Sequence, residues 1–183
     1  FNIDYKGDYN VYLNDPRNIN LGKKLITNKK ILIEKERLKE INETEYHEIL
    51  INHTTPYSPF DILENKSLLL ENNFDNLNAI DWDKGCYVGQ EITARMKYRG
   101  LLKKKLYALK IKNGDVLEGD ELIVDNKKIG TIVSKANSNI FAALNINFVN
   151  EIKNKNQNLV INDSLSFDFL NWKFFSIKTY WNY

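Results

Sequence analysis

The sequence predicts an α+β fold in two parts: a mixed region over residues 1–100 and a small antiparallel β-barrel over residues 101–183. Three observations carry this reading. The most helix-like apolar spacing lies in the first hundred residues; short alternating apolar runs, at the spacing of a barrel or sandwich, take over after Gly100; and Gly114, Gly119 and Gly130 punctuate those runs as turn residues. With 183 residues, 43% hydrophobic and 12% aromatic, the chain has apolar material for one large domain or two small ones.

In chain order, Tyr9–Leu13 reads as a strand, Asn14-Asp15-Pro16-Arg17 as a proline-set turn, and Leu25–Ile33 as a second strand region. Residues from Glu34 to Asn52 read as helical, with Leu38, Ile41, Ile49 and Leu50 as apolar positions and Thr44 able to cap a helix starting there. Two prolines make residues 53–59 a loop. A strand is expected over Ala79–Trp82, then a helix ending near Tyr98 and stopped by Gly100. The barrel strands are expected at Leu106–Ile111, Glu121–Val124, Lys128–Val133, Phe141–Phe148, Leu159–Ile161 and Phe174–Ile177.

The 26 basic and 24 acidic residues nearly cancel, so no strongly basic surface is present for bulk nucleic-acid binding. A single cysteine, Cys86, rules out an intrachain disulfide framework, points to a reducing compartment, and cannot by itself hold zinc or an iron–sulfur cluster. No run approaches the ~18 apolar residues of a membrane span, and the start lacks the build of a signal peptide. A soluble intracellular protein is expected, bacterial cytoplasmic or alternatively mitochondrial. Because the chain opens without Met on residues that read like the interior of a fold, it is expected to be the C-terminal part of a longer protein.

Lysine dominates the basic residues, and abundant Asn and Ile suggest an AT-rich coding bias. Only Arg17, Arg37, Arg95 and Arg99 break the pattern, two of them in one short stretch. In that stretch Gly85 and Gly89 bracket Cys86, allowing a positive φ or a close backbone approach. A thiol beside Lys84 at the start of a helix is placed to favour thiolate. Glu91 and Arg95 are spaced to pair along the helix, Ile92 and Met96 to form its buried face, and Gln90 supplies an amide next to the thiol. Neither His47 nor His53 lies near it in sequence as a general base. The competing reading is a small buried hydrophobe between ordinary turn glycines.

The string Lys84-Gly85-Cys86-Tyr87-Val88-Gly89-Gln90-Glu91, followed by Ala94-Arg95 and Arg99-Gly100, resembles the K-G-C-Y-x-G-Q-E signature of the YgfZ family and its mitochondrial relatives. Asp15-Pro16-Arg17 with Leu21-Gly22 is similar to the family's D-P-R…L-G element, Tyr46–Pro56 to its helix ending in G-I-P, residues 70–82 to the segment feeding the signature, and residues 101–183 to its C-terminal barrel. Two departures bear on ligand contacts: Leu50 stands where the family usually has Arg, and Thr54-Thr55 where it has G-I. The resemblance implies that residues 1–100 are the partial, C-terminal portion of a folate-binding α/β domain lacking its N-terminal half. It implies a tetrahydrofolate-binding accessory factor, more than an enzyme, that supports assembly or repair of iron–sulfur proteins, tRNA-modifying enzymes among them. Cys86 is then the functional thiol, with Lys84, Gly85, Tyr87, Gly89, Gln90, Glu91, Arg95 and Arg99 as motif or binding residues and no metal held by this chain alone. Iron–sulfur clients or assembly machinery are the implied partners, with no membrane and no strong nucleic-acid binding.

Two other readings stand beside it: a folate-dependent aminomethyl or one-carbon transferase, and a tRNA- or protein-binding module. The cysteine string weighs against the transferase, whose relative in glycine cleavage lacks it. Lys103-Lys104-Lys105 reads as a solvated strand edge before an RNA contact. Tyr180-Trp181-Asn182-Tyr183 reads as a terminus before a stacking platform, and Asp81 and Asp83 as turn residues before a metal site.

Overall fold

The computed structural model describes residues 10–27, 39–86, 88–155, 157–162 and 164–170. The first element is an antiparallel pair, β1 (Asn10–Asn14) with β2 (Lys23–Thr27), in which Asn10 faces Thr27. Pro16 opens the connection, and a single 3-10 turn at Ile19–Leu21 is closed by Gly22 at φ 81°. The expected continuation of the second strand over 28–33 lies outside the described residues.

Helix α1 (Glu43–Asn52) begins nine residues after Glu34, with residues 39–42 not helical and residues 34–38 of the expected helix outside the described residues, and its cap is Asn42, not Thr44. The Asn42 side chain accepts from the Glu45 N–H at 2.8 Å, and the Glu45 carboxylate accepts from the Asn42 N–H at 2.9 Å. This reciprocal box satisfies two helix-end donors, which a cap at Thr44 does not offer as well. The strand expected at Ala79–Trp82 does not form. Asn78 turns the chain at φ 56° and the Asp81 side chain takes the Asp83 N–H at 2.9 Å, so the segment is a chain of turns with no partner strand. Helix α2 (Glu91–Tyr98) ends as the sequence predicts, at Arg99 and Gly100, the latter at φ 61°.

The rest is a six-stranded antiparallel sheet, β3 (Lys104–Asn113), β4 (Glu121–Val124), β5 (Lys127–Ala136), β6 (Asn139–Asn145), β7 (Leu159–Asn162) and β8 (Leu165–Phe169), in the order β4-β5-β6-β3-β8-β7. The edge strands β4 and β7 touch, so the sheet curls into a nearly closed barrel. Asp125 and Asn126, both at positive φ, make the two-residue turn from β4 to β5. Two expectations change. The run Phe141–Phe148 is a strand only to Asn145, whose side chain caps helix α3 (Ile146–Asn154) by accepting from Asn147 and Phe148. Gly130 lies inside β5, not in a turn; a Cβ there would sit 2.5 Å from the Ala143 carbonyl oxygen. The last expected strand, Phe174–Ile177, lies outside the described residues, while β8 was not foreseen.

Two apolar clusters organise these elements. Inside the barrel, Leu109, Ile132, Ile140, Leu144, Leu159 and Phe167 meet Val149 and Ile152 of α3. Outside it, Leu106, Ala108, Ala136 and Phe141 are covered by Ile51 of α1. Strand alternation alone would send Ile132 and Ser134 to the same face. A bulge between them resets the parity, so Ile132 points in while Ser134 and Ala136 join the outer face. Among the described residues no helix is long and apolar enough to cross a membrane.

Candidate functional site

A cleft of about 210 Å³ opens between residues 80–86 and α2. Ile80, Trp82, Lys84 and Cys86 line it from the loop, and Gln90, Thr93, Ala94 and Tyr98 from the helix. Trp82 meets Tyr98 edge to face, with ring centroids 6.3 Å apart, and the Lys97 Nζ stands 3.5 Å over the Trp82 ring. These contacts fasten the loop to the helix. Burial against the ring pushes the Lys97 ammonium below its ordinary pKa, opposed by Asp75 and Asp83.

Cys86 is exposed, and it reaches the cleft from the loop, not from the first turn of α2. The helix starts five residues later, after Gly89 at φ 91°, and Gln90 holds the N-cap position without a side-chain cap bond. Of the two bracketing glycines, only Gly89 uses glycine's freedom; Gly85 has ordinary φ and open space where a Cβ would sit. Lys84 and Gln90 share the cleft with the thiol, while Tyr87 lies outside the described residues. Glu91 and Arg95 pair across one helical turn at 3.5 Å in full view of solvent, which contributes little to stability. Arg99 is exposed at the helix C-cap. The expected buried face of Ile92 and Met96 is a correction: Ile92 is 61% exposed and Met96 half-buried, because the inner side of the helix is formed by Thr93, Ala94 and Lys97. Lys104 and Lys105 are taken up by Glu71 and Asp75, leaving Lys103 as the solvated member of the lysine run.

With this geometry in hand, comparison with known proteins is informative. The chain is similar to iron–sulfur cluster assembly factors. It is 35% identical over 121 residues to the mitochondrial assembly factor IBA57 homolog of Dictyostelium discoideum, covering 62% of this chain and 30% of that protein. Identity is 30% over 102 residues with human IBA57 (55% and 28%) and 37% over 89 residues with the Saccharomyces cerevisiae protein (48% and 17%). All three are named as mitochondrial, and the chain spans about 30% or less of their length. No protein-family model matches.

Two polar clusters lie beyond the cleft, and the one around Asp61 has no signal in the sequence. Asp61, fully buried, accepts from the Tyr57 N–H at 2.7 Å and from the Ser134 hydroxyl, and meets His47 Nε2 at 2.9 Å. It ties α1, the 57–61 loop and β5 together. Asp15, also buried, is held by the Arg17 fork at 3.0 and 2.7 Å, and this bond keeps its carboxyl well below the usual range against the opposing effect of burial. The D-P-R element is therefore a folded clamp. It leans on the end of α1, where the Asn18 side chain donates to the His53 carbonyl.

Thr54, next to it, sits at φ 52° with no exposure and no partner for its hydroxyl among the described residues. The left-handed region costs a residue with a Cβ about 1–2 kcal/mol, and a buried unpaired hydroxyl about 1–3 kcal/mol. Glycine there forfeits about 0.5–1 kcal/mol in chain entropy and a buried methyl of about 0.8 kcal/mol. Thr54→Gly is thus expected to stabilise the protein by about 1 kcal/mol, raising the melting midpoint by about 2–4 °C. A lower midpoint by calorimetry contradicts this account.

Proposed function

We propose that this chain is part of an accessory factor of the YgfZ kind that supports the building or repair of iron–sulfur proteins, and that it works through the Cys86 thiol in mitochondria. The names of its relatives support the class and the compartment. The observation that carries the role of the thiol is its position, exposed at a cleft yet on a loop fastened by Trp82, Lys97 and Tyr98. A single thiolate supplies one soft ligand where a cluster takes about four, so any cluster met here is substrate held jointly with another protein. Neither His47 nor His53 lines the cleft, which favours an accessory role over an enzyme with a general base.

Tetrahydrofolate joins a pterin, an aromatic ring and a glutamate, and binding sites for such ligands enclose about 300–1,000 Å³. The cleft at Cys86, at about 210 Å³, does not fit the whole group. Folate binding is therefore proposed for a longer protein with residues 1–100 supplying part of the site, and this chain alone is expected to bind it weakly or not at all. Calorimetric titration with tetrahydrofolate reads this directly; low-micromolar binding by the 183-residue chain refutes it. The test of the main reading is Cys86→Ser in cells lacking the protein. Iron–sulfur enzyme activity should fall to the level of those cells, with an unchanged melting midpoint. Full activity overturns the reading.

A further inference from the structure

Helix α2 is short of partners. It has no buried residue and makes only marginal contact with any other helix or strand among the described residues. Eight residues are too few for a helix to hold in water by itself. Its inner side is fastened to the 80–86 loop, and its outer side is open. There Val88 is fully exposed and Ile92 61% exposed, with Leu101 at 48% beyond the helix end.

Charge is segregated around the same place. Residues 84–105 carry seven of the chain's 26 basic residues and one of its 24 acidic residues, although the whole chain is close to neutral. Lys84 lines the cleft, Lys97 is spent on Trp82, Lys104 on Glu71 and Lys105 on Asp75. Arg95, Arg99 and Lys103 remain at the surface, and Arg95 shares only a long, exposed contact with Glu91. We infer that the outer face of α2, with Val88 and Ile92 framed by Arg95, Arg99 and Lys103, docks an acidic protein surface that has an apolar centre ringed by carboxylates. Arginine is among the residue types that anchor protein interfaces, its fork suits carboxylates, and the exposed aliphatics beside it supply apolar surface for a partner to cover. Ribonucleic acid is the poorer match, since Glu91 lies among the cations and the exposed aromatic of the helix, Tyr98, is turned to the cleft side, where it meets Trp82 edge to face. The inference rests on the proposed role in iron–sulfur assembly, because it names the partner chemistry at that site.

The experiment places a photo-crosslinking amino acid at Ile92 of the full chain in cells, with the same substitution at exposed Ile123 on β4 as control. The expected result is one protein adduct specific to position 92. That protein, identified by mass spectrometry and purified, should bind the chain more weakly as salt rises and about tenfold or more weakly to Arg95→Glu/Arg99→Glu. The paired variant should keep the wild-type melting midpoint, and carboxylate-to-lysine changes in the partner should restore binding. Cys86→Ser should dock normally, so loss of thiol function and loss of docking are read separately. Adducts to ribonucleic acid, to a second copy, to the same proteins from Ile123 or to nothing overturn the inference, as does binding indifferent to salt and to the two arginines.

Discussion

Asp61→Ala should lower the free energy of unfolding by about 3–5 kcal/mol, the lower part of the range for leaving three buried hydrogen-bonding groups unanswered. At about 2–4 °C per kcal/mol for a chain of this size, the melting midpoint falls by about 10 °C. The side chain is out of contact with water, and it answers three groups from three segments: His47 in α1, the Tyr57 N–H, and the Ser134 hydroxyl in β5. Alanine leaves all three facing a dry gap, at about 1–3 kcal/mol for each donor left without an acceptor. Asp61→Asn keeps one acceptor and should cost less. Ser134→Ala, which takes away one bond and its own polar group together, should cost about 1 kcal/mol. Urea unfolding with unchanged slope measures the series. An Asp61→Ala variant within 1 kcal/mol of wild type shows that the cluster does not hold the layers together.

The second large effect is expected for Phe141→Ala, at about 3–5 kcal/mol. Phe141 has no exposure and faces out of the barrel, against Ile51 of α1 and beside Leu106, Ala108 and Ala136. Truncation opens a void in the outer apolar cluster, between Ile51 of α1 and Leu106, Ala108 and Ala136 of the sheet. Phe141→Leu keeps most of the volume and should cost less than half as much. Equal losses for the two variants show that cavity formation is not the cause.

What was legible in the sequence followed local rules. Alternating runs located β3 through β5 and β7 because their turns carry glycine, or Asp125-Asn126, at the ends. The C-terminal end of helix α2 was placed correctly because Gly100 stops it. The run Phe141–Phe148 misled because one apolar string serves two elements, and only Asn145, a helix-cap residue inside that string, marks the change. The abundance of asparagine, read as coding bias, turns out to do structural duty as well: Asn65, Asn73, Asn78, Asn126 and Asn137 all occupy the left-handed region, where asparagine is the best substitute for glycine. At the site, the string around Cys86 was visible, but the side of α2 that faces solvent was misjudged. Periodicity shows that Ile92 and Met96 are neighbours, not whether anything covers them. The Asp61 cluster joins positions 47, 61 and 134, and no local pattern reports a contact across 73 residues.

The outer apolar cluster has a consequence for how the chain is made. The bonds from Asn139 to Glu48 and Asn52 of α1 span 91 and 87 residues. Synthesis runs from α1 toward β6 at about 5–20 residues per second. Ile51, without exposure in the finished fold, therefore spends about 5–20 s on the growing chain before the strand that carries Phe141 exists. During that interval the side of α1 that meets the sheet stays uncovered on the growing chain.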